Sequence, residues 1–184
     1  MTTTAVPSTA PAAAGEPAVL TGLDRSSGSH TAVLRVLVAD DHPLFRQAVC
    51  GAIARHPGLA LVGEAADGTE ALALIDALEP DVAVLDHRMP GLSGAEVCEA
   101  LQARADRPAT ALLMLSAFED SELVWGAVSS GAAGYIGKGA SQADICDAIE
   151  QVGRGGIAFT PVTGRGISEG FSQHFGRPSP PTRR

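Results

Sequence analysis

Three acidic side chains stand where apolar runs stop. Asp40 and Asp41 close LRVLVADD (34 to 41), and Asp86 closes DVAVLD (81 to 86) just before the turn sequence HRMPGLSG (87 to 94). A carboxylate at the C-terminal end of a buried strand, followed by Pro and Gly, points outward from a sheet rim. Open α/β folds place their ligands there. If the two strands are parallel neighbours, the three carboxylates meet. Clustered carboxylates repel one another, which raises the proton affinity of at least one unless a cation neutralises them. Hard oxygen ligands with open water positions suit Mg²⁺. Two further groups, Ser116 and Lys138, follow later apolar runs. Each residue alone says little, because paired Asp residues often cap helices and a Ser after a strand often opens a turn. Their joint order and spacing is the signal.

The elements that must position these groups follow from periodicity. Short apolar runs predict strands near 33 to 39, 59 to 65, 81 to 85, 110 to 115 and 133 to 136. Between them, residues such as Val49, Ala52 and Ile53, or Ala71, Leu74, Ile75 and Leu78, keep the 3.6 period of an amphipathic helix. The same spacing recurs at Val97, Ala100 and Leu101, at Val124, Ala127 and Val128, and at Ile145, Ala148, Ile149 and Val152. Alternation of this kind marks a parallel sheet wrapped by helices. Pro43 suits the first turn of the first helix, and Pro57-Gly58 ends it.

At 184 residues the chain holds one domain with a substantial core. Its net charge of -8 argues against general affinity for nucleic acid or anionic membrane. No apolar stretch is long enough to span a bilayer, and the N-terminus lacks a secretory signal, so a cytoplasmic location is expected. Cys50, Cys98 and Cys146 fall in separate predicted helices without a CxxC pair, which supports neither a metal cage nor a disulfide framework. Residues 1 to 31, rich in Ala, Thr, Ser, Pro and Gly, are expected to form a disordered arm. Residues 32 to 162 form the expected domain, and 163 to 184 a flexible tail.

Four segments together resemble the receiver domains of bacterial two-component response regulators, in the branch that usually carries a C-terminal LuxR/NarL-type helix-turn-helix. They are LRVLVADDHPLFR (34 to 46), DVAVLDHRMPGLSG (81 to 94), ATALLMLSAF (109 to 118) and GAAGYIGKGAS (131 to 141). The resemblance implies a flavodoxin-like three-layer α/β fold with a five-stranded parallel sheet in the order 2-1-3-4-5. It implies that Asp86 is phosphorylated and that Asp41, Asp86 and the backbone carbonyl of Arg88 bind Mg²⁺, with Asp40 acting through a bound water. Lys138 and Ser116 would be the catalytic groups, and Ser116 with Tyr135 the switch. The implied phosphodonor is a sensor histidine kinase. The output would be a downstream protein partner or a homodimer; direct DNA binding is not expected, because residues 162 to 184 supply no recognition helix. Such a protein catalyses its own modification and is not a metabolic enzyme.

Gly137 and Gly139 flank Lys138, which predicts a mobile lysine loop. Arg88 and Phe118 each stand two residues beyond a site residue, at positions that in this family govern water access, and their bulk predicts a long-lived aspartyl phosphate. Trp125 falls off the stripe of the fourth helix and is read as a partner surface, with a ring folded against its own helix as the competing placement. His42 and His87 are read as neighbours of the acids and not as ligands. GAAGYIGKG approaches a P-loop, yet no Ser or Thr follows Lys138, so ATP binding is unsupported. The alternatives are an unphosphorylated or truncated transcription-regulator remnant acting as a binding module, and a Mg²⁺-dependent phosphohydrolase with an aspartyl intermediate. The second usually needs an acid where Arg88 stands.

Overall fold

The computed structural model describes residues 32–159 apart from 107 and 119. Strands and helices alternate along the chain: β1 (Leu34–Ala39), α1 (Pro43–Arg55), β2 (Leu59–Ala65), α2 (Gly68–Leu78), β3 (Val82–Asp86), α3 (Gly94–Gln102), β4 (Ala111–Ser116), α4 (Ser121–Ser129), β5 (Gly134–Gly137), α5 (Gln142–Gly153) and β6 (Ala158–Phe159). All neighbours in the sheet run parallel, in the order β2-β1-β3-β4-β5-β6. The expected order of five strands is present, and β6 extends it. The Gly-rich approach to that two-residue strand holds no alternation long enough to register in the sequence. The expected arm and tail, 1 to 31 and 163 to 184, lie outside the described residues.

Side-chain alternation divides the core into two layers. Val36, Val38, Val82, Val84, Leu113 and Leu115 pack under α1 and α5. Their neighbours Leu37, Ala39, Ala83, Leu85, Leu112 and Met114 pack under α2, α3 and α4. Every residue of β3 is buried, as expected of a central parallel strand covered on both faces. Each fully buried Leu or Val contributes about 1.5 to 3 kcal/mol relative to exposure. The three cysteines are buried and free on α1, α3 and α5. Burial pushes the thiols of Cys50 and Cys98 up to about 12.

β3, β4 and β5 end one residue later than expected, and the shift matters. Asp86 and Ser116 are the last residues of β3 and β4, in register with Leu115 and Gly137 of the adjoining strands. The sheet therefore holds their backbones directly. Helix starts are fixed as firmly. Pro43 opens α1, and Ser93 with Glu96 and Ser141 with Asp144 form capping boxes on α3 and α5, caps of this kind contributing about 1 kcal/mol each. Gly94 lets α3 begin against the end of β3, since a Cβ there would lie 2.5 Å from the Asp86 carbonyl oxygen.

Candidate functional site

The strand order reverses between β1 and β3, and the crevice at that switch point receives the ends of both. Asp40 and Asp41 leave β1, Asp86 ends β3, Ser116 ends β4 and Lys138 follows β5. Asp40, Asp86 and Ser116 are buried, whereas the Asp41 side chain keeps 32% of its surface exposed. Asp41 thus gives the crevice its open, anionic side.

Lys138 is the chain's only lysine. Its ammonium reaches Asp86 Oδ2 and Asp40 Oδ2, each at 2.7 Å. The contact with Asp86 is also a well-aligned hydrogen bond, while Asp40 Oδ2 has the ion pair without that alignment. Burial and the neighbouring charge of Asp40 push the Asp86 carboxyl above its ordinary range, against the opposing pull of Lys138. Burial alone would lower the Lys138 ammonium, but its bonds to Asp40 and Asp86 outweigh that and raise it. One largely buried cation therefore stands between two buried carboxylates. The loop carrying it is tied by the Lys138 amide, which donates to the Ser116 carbonyl at 2.7 Å, and by the Ala140 amide, which donates to the Gly137 carbonyl at 3.0 Å. Despite its flanking glycines the lysine loop is anchored at both ends.

The β1 side is held by short-range contacts. The His42 amide donates to Asp40 Oδ1 at 2.8 Å, and an Arg46 guanidinium N–H donates to the Asp40 carbonyl. His42 Nδ1 lies 2.6 Å from Asp41 Oδ1, so ligand atoms of Asp40, Asp41, His42 and Asp86 fall within 4.8 Å of one another. His42, expected as a neighbour of the acids and not a ligand, brings its ring to the rim of the acidic group. His87 faces the other way. Its ring is half-buried 6.5 Å from that of Tyr135, and burial with the Arg88 charge holds its imidazole below the usual range. The Arg88 amide approaches Asp86 Oδ1 at 3.4 Å, and its guanidinium stacks over the Phe118 ring at 4.8 Å.

Ser116 and Tyr135 meet at one peptide segment. Ser116 Oγ accepts from the Phe118 amide at 3.1 Å, and the Tyr135 hydroxyl donates to the Phe118 carbonyl at 2.7 Å. The Tyr135 ring is fully buried. Trp125 stands apart from this crevice on α4 and is half-buried, neither fully outward nor part of the core.

Oxygen donors dominate the crevice, and among the described residues Asp40 Oδ2 and Asp41 Oδ1 accept no hydrogen bond of regular geometry, Lys138 Nζ and His42 Nδ1 being their close polar neighbours. Such a set fits a hard divalent cation of the Mg²⁺ class.

A parallel sheet with this strand order, carrying an Asp pair, a central Asp, a Ser and a Lys at the C-terminal ends of its strands, is the layout of a flavodoxin-like signalling receiver. The chain matches the response regulator receiver domain over residues 36–150 and belongs to that family. It is 40% identical over 135 residues to the probable transcriptional regulatory protein NarL of Mycobacterium tuberculosis, an alignment spanning 73% of this chain and 62% of that protein. Identity to the DNA-binding transcriptional activator DevR/DosR of the same species is 35% over 123 residues, 67% of this chain and 56% of that one. The chain thus spans about three fifths of these curated relatives. Among solved structures, the signal receiver domain of M. tuberculosis NarL superposes with a TM-score of 0.65 at 41% identity, covering 67% of this chain and 98% of that one. A LuxR-family two-component response regulator from Aurantimonas sp. SI85-9A1 gives 0.69 at 33% identity, covering 75% and 97%.

Proposed function

We propose that this receiver accepts a phosphoryl group on Asp86 and thereby switches a partner-binding surface. The observation that carries the reading is the Lys138 ammonium 2.7 Å from both Asp40 and Asp86, beside the open carboxylate of Asp41. An Asp86 oxygen attacks phosphorus, and the bond from phosphorus to the donor's histidine nitrogen breaks, the leaving imidazole taking up a proton. No general base is needed for a carboxylate nucleophile, so catalysis rests on positioning and on charge stabilisation. Lys138 holds the nucleophile and offers its ammonium to the equatorial oxygens. The Ser116 hydroxyl, whose oxygen accepts from the Phe118 amide, keeps its own proton free to donate to a phosphoryl oxygen.

Asp41, Asp86 and the Arg88 carbonyl would hold Mg²⁺, with Asp40 supporting it through water. The ion supplies charge neutralisation for the carboxylates and the incoming phosphoryl group. Because Ser116 and Tyr135 both bond to the backbone of Phe118, a phosphoryl group that engages Ser116 pulls on the segment that Tyr135 holds. The phosphoryl group thereby favours one of two arrangements of the surface beyond it. Residues 32 to 162 form the receiver unit. A sensor histidine kinase is the phosphodonor, and the relatives named as transcription regulators support an output in gene control through a protein partner or a second copy.

The test is incubation with phosphoramidate, with and without Mg²⁺, followed by intact mass. One phosphoryl group is expected to appear with Mg²⁺ and to be absent from Asp86→Asn. Equal uptake by Asp86→Asn would place the modification elsewhere.

A further inference from the structure

The Lys138 ammonium has a third neighbour. Besides the two carboxylates at 2.7 Å, it stands 4.8 Å from the centroid of the Phe45 ring and over its face. Phe45 belongs to the first turn of α1, which Pro43 opens, and it packs against the core layer beneath α1 and α5. Its neighbour Arg46 donates to the Asp40 carbonyl, so one turn of one helix touches both the cation and the backbone of its acidic partner. A cation held over an aromatic face is drawn to the ring's negative quadrupole, and the attraction grows as water is excluded. The Lys138 side chain keeps 14% of its surface exposed. The Lys138 amide is held by the Ser116 carbonyl, so what is left to fix is the path of the side chain.

We infer that Phe45 is a positioning residue that fixes the Lys138 ammonium between Asp40 and Asp86. The inference rests on the reading of Asp86 as phosphoacceptor for its kinetic consequence, and on geometry alone for its structural content. An ammonium on four rotatable bonds can satisfy one carboxylate in many poses. Facing two carboxylates and one ring, it is confined to few. The entropy of holding Lys138 in place is then met before the phosphodonor arrives. Such a platform also accounts for how a lysine between glycines retains a defined pose.

Because Lys138 is the only lysine, protein grown with lysine labelled at Cε and Nζ gives a single side-chain signal from that residue. In the full chain, the Lys138 Hε resonances are expected upfield of free lysine through the ring current of Phe45. Phe45→Leu should return them toward the free value, and Phe45→Tyr, which keeps the ring, should leave them shifted. At saturating Mg²⁺, phosphorylation by phosphoramidate should slow about three- to tenfold in Phe45→Leu, the size of a partly desolvated cation–π contact. Phe45→Tyr should stay within about twofold of the parent. Mg²⁺ affinity, read by calorimetry, should change little in either variant, and thermal melts confirm that both are folded. Unshifted Hε resonances in the parent would overturn the inference. So would a Phe45→Leu rate equal to the parent's, or a Phe45→Tyr as slow as Phe45→Leu. Absence of any phosphorylation in the parent would instead remove the functional reading, and the lysine signal would still decide the placement of Lys138.

Discussion

Replacing Lys138 with Met keeps most of the stem and removes the ammonium that lies 2.7 Å from a carboxylate oxygen of Asp40 and of Asp86. Two buried carboxylates then face each other unpaired. Breaking a buried ion pair on one side costs about 3 to 5 kcal/mol. The site has an escape, because Asp86 can take up a proton, and its carboxyl already sits above the ordinary value of 3.8. From that ordinary value, protonation at pH 7 costs about 4 kcal/mol, which caps the loss. For a domain of this size the melting temperature should fall by roughly 10 °C. At pH 5 the same protonation costs only about 1.5 kcal/mol, so the gap between parent and variant should narrow by more than half. The direction follows from linkage. A carboxyl whose folded pKa is raised keeps its stability below the ordinary value and loses it as pH rises toward neutrality. Mg²⁺ should close much of the gap at pH 7, since the variant's carboxylates are free to take a cation that Lys138 otherwise opposes. Urea titrations at pH 5 and pH 7, with and without Mg²⁺, measure all of this. A gap below 1 kcal/mol at pH 7 without divalent cation, or one that does not change with pH, would refute the reasoning.

Four further outcomes are expected. Phe118→Asn removes the ring under the Arg88 guanidinium and should speed loss of the phosphoryl group at least threefold; an unchanged decay rate in an intact-mass time course would separate that stack from water access. Gly139→Ala should gain about 0.4 to 1 kcal/mol in urea, because the added Cβ meets no atom within 4 Å and the unfolded chain loses freedom; a lower midpoint would mean that the loop needs glycine. Cys98, fully buried with its thiol raised to about 12, should react with a thiol-specific disulfide reagent only as fast as the protein opens. Rapid labelling at pH 8 would contradict this; the parent should also lose stability from about pH 9 to about pH 12, where unfolded thiols ionise and the folded one does not, and a urea midpoint that does not fall over that range would contradict it.

The acidic crevice was legible because its members end strands. In a parallel sheet the C-terminal ends of all strands share one edge, so Asp40, Asp41, Asp86, Ser116 and Lys138 could be placed on one rim from the ends of apolar runs. The stripes Val97 with Leu101 and Ile145 with Ile149 face the core as their spacing requires. What was not legible depends on side-chain direction across elements. Phe45 reads as one more apolar residue on α1, and only the packing of that helix beside the lysine loop brings its ring under Lys138. His42 turns toward Asp41 because Pro43 starts α1 immediately after it. The shared use of the Phe118 backbone by Ser116 and Tyr135 leaves no mark in the sequence, since a peptide group has no identity there. Strand β6 escaped because two residues cannot display a period.

That short strand has a consequence for association. Parallel sheets expose rows of unpaired amides and carbonyls at their borders, and such borders recruit other chains. By pairing Gly134 and Tyr135 with Ala158 and Phe159, β6 covers half of β5. Chains ending before Ile157 would leave the outer edge of β5 bare along its whole length and should self-associate at concentrations where the intact protein stays dispersed.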